Sequence, residues 1–239
     1  MIHYNLVKLN IQREERDLVD FFKKVFGNSE NRSIAARELK NVSQLRVGDM
    51  VKFKLYAPPL IKSQTFKIES INTYDYNSSS DTEFVLQGSN RTPVFMSIET
   101  DQISSELRLS VKLTRNIVKQ LFDLDEFAEI FDNEQGPVVV HRIIDTDAVG
   151  SKLQKYAGWT APLYYRQAFA VKGYYHKGDY RNKEIPQSKN NCDEFDYYCL
   201  VSNDEFHAVE IEVYDDGEEV MLTYVTDDQI IEELWPGSL

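Results

Sequence analysis

The chain has 239 residues, 42% of them hydrophobic and 28% charged, and carries a formal net charge of -12 at neutral pH. That much apolar material can offset chain entropy, which excludes wholesale disorder, and the length suits one large or two small domains. Net negative charge repels phosphates, so binding to nucleic acid is not expected.

The charge is uneven. Residues 1–119 hold 18 Lys and Arg against 14 Asp and Glu, whereas residues 120–239 hold 9 against 25. Ile11–Phe26 is predicted to be an amphipathic helix, with Ile11, Leu18, Phe22 and Val25 on one stripe and Gly27 ending it. It is the one segment through which membrane contact would run, although its polar face mixes both signs of charge. A second short helix is predicted over Ser33–Asn41, capped by Ser33. Residues 1–44 thus form a helical N-terminal segment.

The period then changes to two. Leu45–Asp49 is a turn leading into an alternating strand at Met50–Tyr56, which Pro58-Pro59 breaks. Further strands are expected at Thr65–Tyr74, Glu83–Gln87, Val94–Ile98 and Leu107–Leu113, followed by a helix over Thr114–Phe131, in one or two pieces. Gly136-Pro137 marks the boundary between a β-rich unit at 45–135 and an acidic β-rich unit at 136–239. In the second unit, strands are expected at Val138–Ile144, Leu163–Tyr175, Phe195–Val201, Phe206–Tyr214 and Glu219–Val225. A polar helix or turn covers Ala148–Tyr156, and a long polar loop covers His176–Asn191. Asp215-Asp216-Gly217 signals a hairpin through the positive φ that Gly tolerates. Thr226, with Gln229 in the capping-box position, predicts a final helix ended by Pro236-Gly237. The expected fold class is α+β, mostly antiparallel β, with two small curled sheets or barrels and flanking helices.

The residues offer little chemistry. His3, His141, His176 and His207 have no metal-ligand spacing with each other or with cysteine, and the acidic clusters lack calcium-loop spacing. No metal or cofactor is expected. Cys192 and Cys199 give no disulfide framework, which fits a reducing cytoplasm. Lying seven residues apart, they should face opposite sides of a strand, and the acids around them should raise a thiol's pKa. No apolar run approaches the roughly 20 residues of a membrane span and no leader pattern is present, so a cytoplasmic location is expected. Nucleophile and phosphate-loop motifs are absent, and the expectation leans away from an enzyme.

One patch in the acidic half combines aromatic and basic residues: Trp159, Tyr164, Arg166, Tyr174, Tyr175 and Arg181. Such a mixture favours recognition surfaces, while the alternative reading is a strand with aromatics inward and cations outward.

Leu45-x-x-Gly48-Asp49 with its alternating strands, the strands at 81–86 and 93–99, and Trp159-x-x-x-x-Tyr164-x-Arg166 together resemble an uncharacterised β-rich domain family of bacteria. Members are often encoded beside phage-shock-protein-A-like and glutathionylspermidine-synthase-like proteins. The resemblance implies a non-enzymatic accessory or adaptor protein in a membrane-stress or polyamine-linked system, and it supplies no catalytic residue. The expected partner is another protein with a basic surface. Two other readings stand beside it: an acidic immunity or inhibitor protein masking a basic toxin or nuclease site, and a small-substrate enzyme with a pocket near Tyr164, Arg166 and Tyr175.

Overall fold

The computed structural model describes residues 37–76, 79–89, 92–100, 105–132, 136–186 and 192–237. Residues 38–237 form one compact unit. The expected helix at 11–26 lies outside the described residues. Of the one expected at 33–41, residues 37–41 are described and are not helical, and a short 3-10 turn follows at Val42–Gln44.

Among the described residues, alternating apolar and polar side chains produce eleven strands, all antiparallel to their neighbours. They are β1 (Met50–Phe53), β2 (Thr65–Asp75), β3 (Ser80–Gln87), β4 (Pro93–Thr100), β5 (Ser105–Leu113), β6 (Val139–His141), β7 (Leu163–Lys177), β8 (Asp193–Ser202), β9 (His207–Tyr214), β10 (Gly217–Asp227) and β11 (Ile231–Trp235). Two short helices, α1 (Arg115–Leu121) and α2 (Leu124–Ala128), follow β5. The Asp123 side chain caps α2 by accepting from the Asp125 and Glu126 amides, which explains the break between the two pieces. No helix among the described residues is long and apolar enough to cross a membrane.

The strands run in the order β11-β1-β2-β3-β4-β5-β10-β9-β8-β7-β6, and an extra pairing of β2 with β7 closes the central eight into a barrel. Asn72–Asp75 of β2 pair with Tyr174–Lys177 of β7 at the closure. β1, β11 and β6 lie outside the ring. The expectation of two separate sheets is therefore corrected to one. β5 pairs with β10 over eight residues, Glu106–Leu113 against Val220–Asp227, so strands from both sides of Gly136 share the barrel.

A second correction concerns the C-terminus. Residues 228–230 form a 3-10 turn, with Asp227 rather than Thr226 accepting from the Gln229 amide, and 231–235 form β11. The edge of β1 offers unpaired backbone groups, and pairing with it (Met50 opposite Trp235) overrides the local helical pattern. The Asp215-Asp216 hairpin does join β9 to β10, yet none of Asp215, Asp216 or Gly217 has a positive φ. Gly217 simply begins β10.

The apolar face of the strands points outward. Phe66, Ile68, Phe84, Leu86, Met96, Leu109, Val209 and Leu222 form one buried cluster with Val51 and Phe53 of β1, Leu121 and Phe122 at the end of α1, and Trp159. The Leu45–Asp49 turn serves this wrapping. Gly48 takes φ +94, and buried Asp49 accepts from the Arg46 amide at 2.7 Å and the Gly237 amide at 2.8 Å, joining the two ends of the compact unit.

Candidate functional site

The other strand face lines the barrel lumen. On β9, Val209 and Ile211 belong to the outer cluster while Glu210 and Glu212 face in. On β5, Leu107, Leu109 and Val111 alternate with Arg108 and Ser110 in the same way. Contacts between distant strands prove which side is concave. The Tyr74 hydroxyl on β2 lies 3.4 Å from Glu212 on β9, although β7 and β8 stand between them in the sheet order. Side chains on a convex face would diverge instead. All eight barrel strands contribute walls to a cavity of about 460 Å³. A second cavity, of about 630 Å³, opens toward the β9–β10 hairpin and shares Tyr74, Glu83 and Phe95 with the first.

The first chamber is organised by an ion pair. Arg108 donates to Glu210 at 2.6 Å, Tyr197 donates to the same carboxylate at 2.9 Å, and Thr223 donates to its other oxygen at 2.5 Å. Ser110 and Thr223 bond to each other at 2.8 Å. Burial opposes the charge on Glu210, but the Arg108 guanidinium and these donors outweigh it and hold the carboxyl below its usual range. Cys199 lies against the pair. Burial, reinforced by Glu210, pushes its thiol up to about 12, so it is not a thiolate at neutral pH. Cys192 precedes β8 and lines the second cavity, so both cysteines face the lumen rather than opposite sides of one strand.

Between the chambers lies a layer of two carboxyls and two phenols. The Tyr74 hydroxyl is 3.4 Å from both Glu83 and Glu212. Tyr214 donates to Glu212 at 2.5 Å, and the Asn72 amide donates to Glu83 at 3.0 Å. Among the described residues, neither carboxyl has a cation within ion-pair distance; all their donors are neutral. Burial raises Glu83, with Asn72 and Lys112 pulling the other way. Burial, aided by the negative charges of Glu83, Glu219 and Glu210 and resisted by the Tyr214 hydrogen bond, lifts Glu212 to about 7. Tyr74 has one proton and two carboxyl neighbours, so a proton on Glu212 lets the chain Glu212–Tyr74–Glu83 be hydrogen-bonded throughout.

Aromatic rings complete the wall. Tyr74 and Tyr76 stack with centroids 6.4 Å apart, Phe195 meets Tyr74 edge-on at 5.7 Å, and Tyr76 meets Tyr197 at 6.0 Å. Gly173 of β7 lies beneath the Phe195 ring, where any Cβ would collide with it. At the second mouth, Asp193, Glu194, Asp215, Asp216 and Glu219 outnumber Lys112 and Lys177.

Of the six aromatic and basic residues singled out in the sequence, Tyr175 alone lines a lumen chamber. Trp159 is fully buried in the outer cluster, and Tyr164, also buried there, accepts from the Ala161 amide at 2.7 Å. Arg166 lies over the Phe169 ring and donates to the carbonyls of Ile130 and Asp132 at 3.2 and 2.8 Å, securing the end of the turn after α2. Tyr174 pairs with Asp75 at the barrel closure. Arg181 binds Asp179 and the carbonyls of Ser43 and Leu45 while lying over Phe84. Trp159, Tyr164, Arg166, Tyr174 and Arg181 thus line neither lumen chamber.

The residues that sequence reasoning missed are Arg108, Glu210, Glu212, Glu83 and Tyr74. Their signal was present as the polar partners in alternating strands. Alternation separates two faces but does not say which one is concave.

A closed, eight-stranded antiparallel barrel with a polar, carboxylate-bearing lumen is the class of architecture that these residues define. The chain matches no protein-family model, no curated protein and no solved structure.

Proposed function

We propose that the protein is a binding barrel that holds a small molecule in its lumen. One observation carries this reading: the barrel interior, where aliphatic packing would stabilise the fold most, is instead an open chamber walled by Glu83, Arg108, Glu210 and Glu212. Burying an ion costs several kcal/mol even after relaxation, and an ion pair rarely repays that cost better than apolar packing would. An interior of this kind is selected for recognition rather than for stability. Eight strands also give an interior suited to a single small ligand.

The test is a thermal-shift screen of the full chain against a metabolite mixture, repeated with lumen-filling variants Ser97→Trp and Ala168→Phe. Ligands should raise the melting temperature of the wild type and leave a folded variant unmoved. A shift that persists in both folded variants would place the ligand elsewhere and end the proposal.

A second reading draws on the acidic second mouth, whose Asp215, Asp216 and Glu219 suit contact with a basic protein surface. It preserves the adaptor and inhibitor expectations and predicts partner capture that weakens steeply with salt. In this reading the protein is an accessory of a bacterial cytoplasmic system.

A further inference from the structure

We infer that the occupant of the lumen is a small organic cation, an ammonium ion with an apolar body, seated between the Glu83–Tyr74–Glu212 layer and the aromatic wall. This rests on the lumen being a binding site and names the chemistry that the site would take. The first argument is charge. Arg108 is spent on Glu210 at 2.6 Å, and Tyr197 and Thr223 complete that carboxylate. Glu83 and Glu212 are left with neutral donors only, although each is more than nine-tenths buried. An ammonium ion would supply the cation that these two carboxyls lack. Among the described residues lining the two chambers, Arg108 is the one arginine and is already paired, so an anion would face these carboxyls with no guanidinium to receive it.

The second argument is independent of charge count. Tyr74, Tyr76 and Tyr197 present ring faces and edges to the same chamber. An organic cation gains from π-faces as well as from carboxylates, whereas a hydrated inorganic ion gains chiefly from the latter. The third is access. The second mouth carries an excess of carboxylates over its two lysines, so its field draws cations toward the lumen.

Binding must also move a proton. Around Glu212 stand Tyr74 from β2 with Tyr76 just beyond it, Glu83 from β3, Tyr175 from β7, Glu219 from β10, and Glu210 and Tyr214 from its own strand. With its pKa lifted to about 7, Glu212 is partly protonated at neutral pH. A bound cation favours the carboxylate and expels that proton to solvent. Affinity should therefore rise with pH and level off above 7, falling by up to about tenfold per pH unit on the acid side.

The experiment is titration calorimetry of the full chain at pH 7.5 with three matched probes: n-butylammonium chloride, sodium butyrate and n-butanol, with tetramethylammonium chloride as a second cation. The expected result is that the cations bind and the other two do not. The heat should depend on the buffer's ionisation enthalpy, and binding should weaken at least tenfold in Glu212→Gln and Glu83→Gln with circular dichroism unchanged. Tighter binding of butyrate or butanol would overturn the inference while leaving the lumen reading intact. So would undiminished cation binding in both folded variants. If none of the four binds, the cation inference falls; if the metabolite screen with Ser97→Trp and Ala168→Phe is blank as well, the lumen reading falls with it.

Discussion

At the scale of single residues, Glu212 is a group that the fold holds at a cost. Its ordinary pKa is 4.5 and its folded value is about 7, so between these values the folded state binds a proton that the unfolded chain has released. Stability from this group therefore falls as pH rises from 4.5 to 7 and stays low above that, by roughly 3 kcal/mol at most. Glu83 is raised as well and acts in the same direction, while Glu210, Asp179 and Asp204 are lowered and act in the opposite one. Glu212→Gln keeps a neutral group that can accept from Tyr214 and donate to Tyr74. The variant should match the wild type near pH 4.5 and exceed it in denaturant stability at pH 8, with the gap opening between those values. Because Glu83, Glu210 and Glu219 couple to Glu212, the difference curve reports Glu212 together with the relief that its loss brings to those neighbours, while carboxyls remote from it cancel. A gap that is independent of pH would show that the residue's ionisation does not differ between the folded and unfolded states.

At the scale of elements, β7 is the irregular strand. Its pairing with β8 slips between Arg166 and Ala168 and again between Ala168 and Val171, and Ala170 sits at φ +48 between the two slips. These bulges turn the strand, so that its first part pairs with β6 and its last part reaches β2. A side chain at positive φ carries strain that glycine does not. Ala170→Gly should therefore stabilise the protein by about 0.5–1 kcal/mol in chemical denaturation; a clear loss of stability would mean that the Ala170 methyl contributes more by packing than its backbone costs. The same strand shows what the sequence could convey. Its length and aromatic-rich composition were legible, as were the limits of most other strands. The bulges were not, because nothing in Gln167-Ala168-Phe169-Ala170 distinguishes a kink from regular alternation. Nor was the lumen legible. Val209-Glu210-Ile211-Glu212 reads as a half-buried strand with glutamates in water, and only closure of the ring turns those glutamates inward. The terminal Thr226–Trp235 segment failed as a helix for a related reason: a strand edge distant in sequence settled its conformation.

At the scale of the whole molecule, the barrel depends on pairings that no local segment can supply. β5 and β10 meet across more than a hundred residues, with Ser110 bonded to Thr223 inside the lumen. β2 and β7 meet at a similar separation, with Tyr74 opposite Tyr175. Without these two seams and the β1–β11 pairing, residues 1–135 would keep β1 to β5 with one edge of β5 open along its length, and residues 136–239 would keep β6 to β10 with one edge of β10 open in the same way and β11 without its partner. Each half would also leave its charged inner face without a partner: Arg108 lies in one half, Glu210 and Glu212 in the other. Opening the ring also exposes this lumen wall and loses the burial and the Arg108–Glu210 contact, and a domain's small net stability leaves little margin for such a loss. Separately expressed 1–135 and 136–239 should therefore lack a cooperative thermal transition, while the mixed fragments should recover one if they associate, since both seams can then form. Cooperative melting of either fragment alone, followed by circular dichroism, would instead support two self-sufficient sheets. The same topology implies slow folding, because closure of both long loops must precede the contacts that reward it.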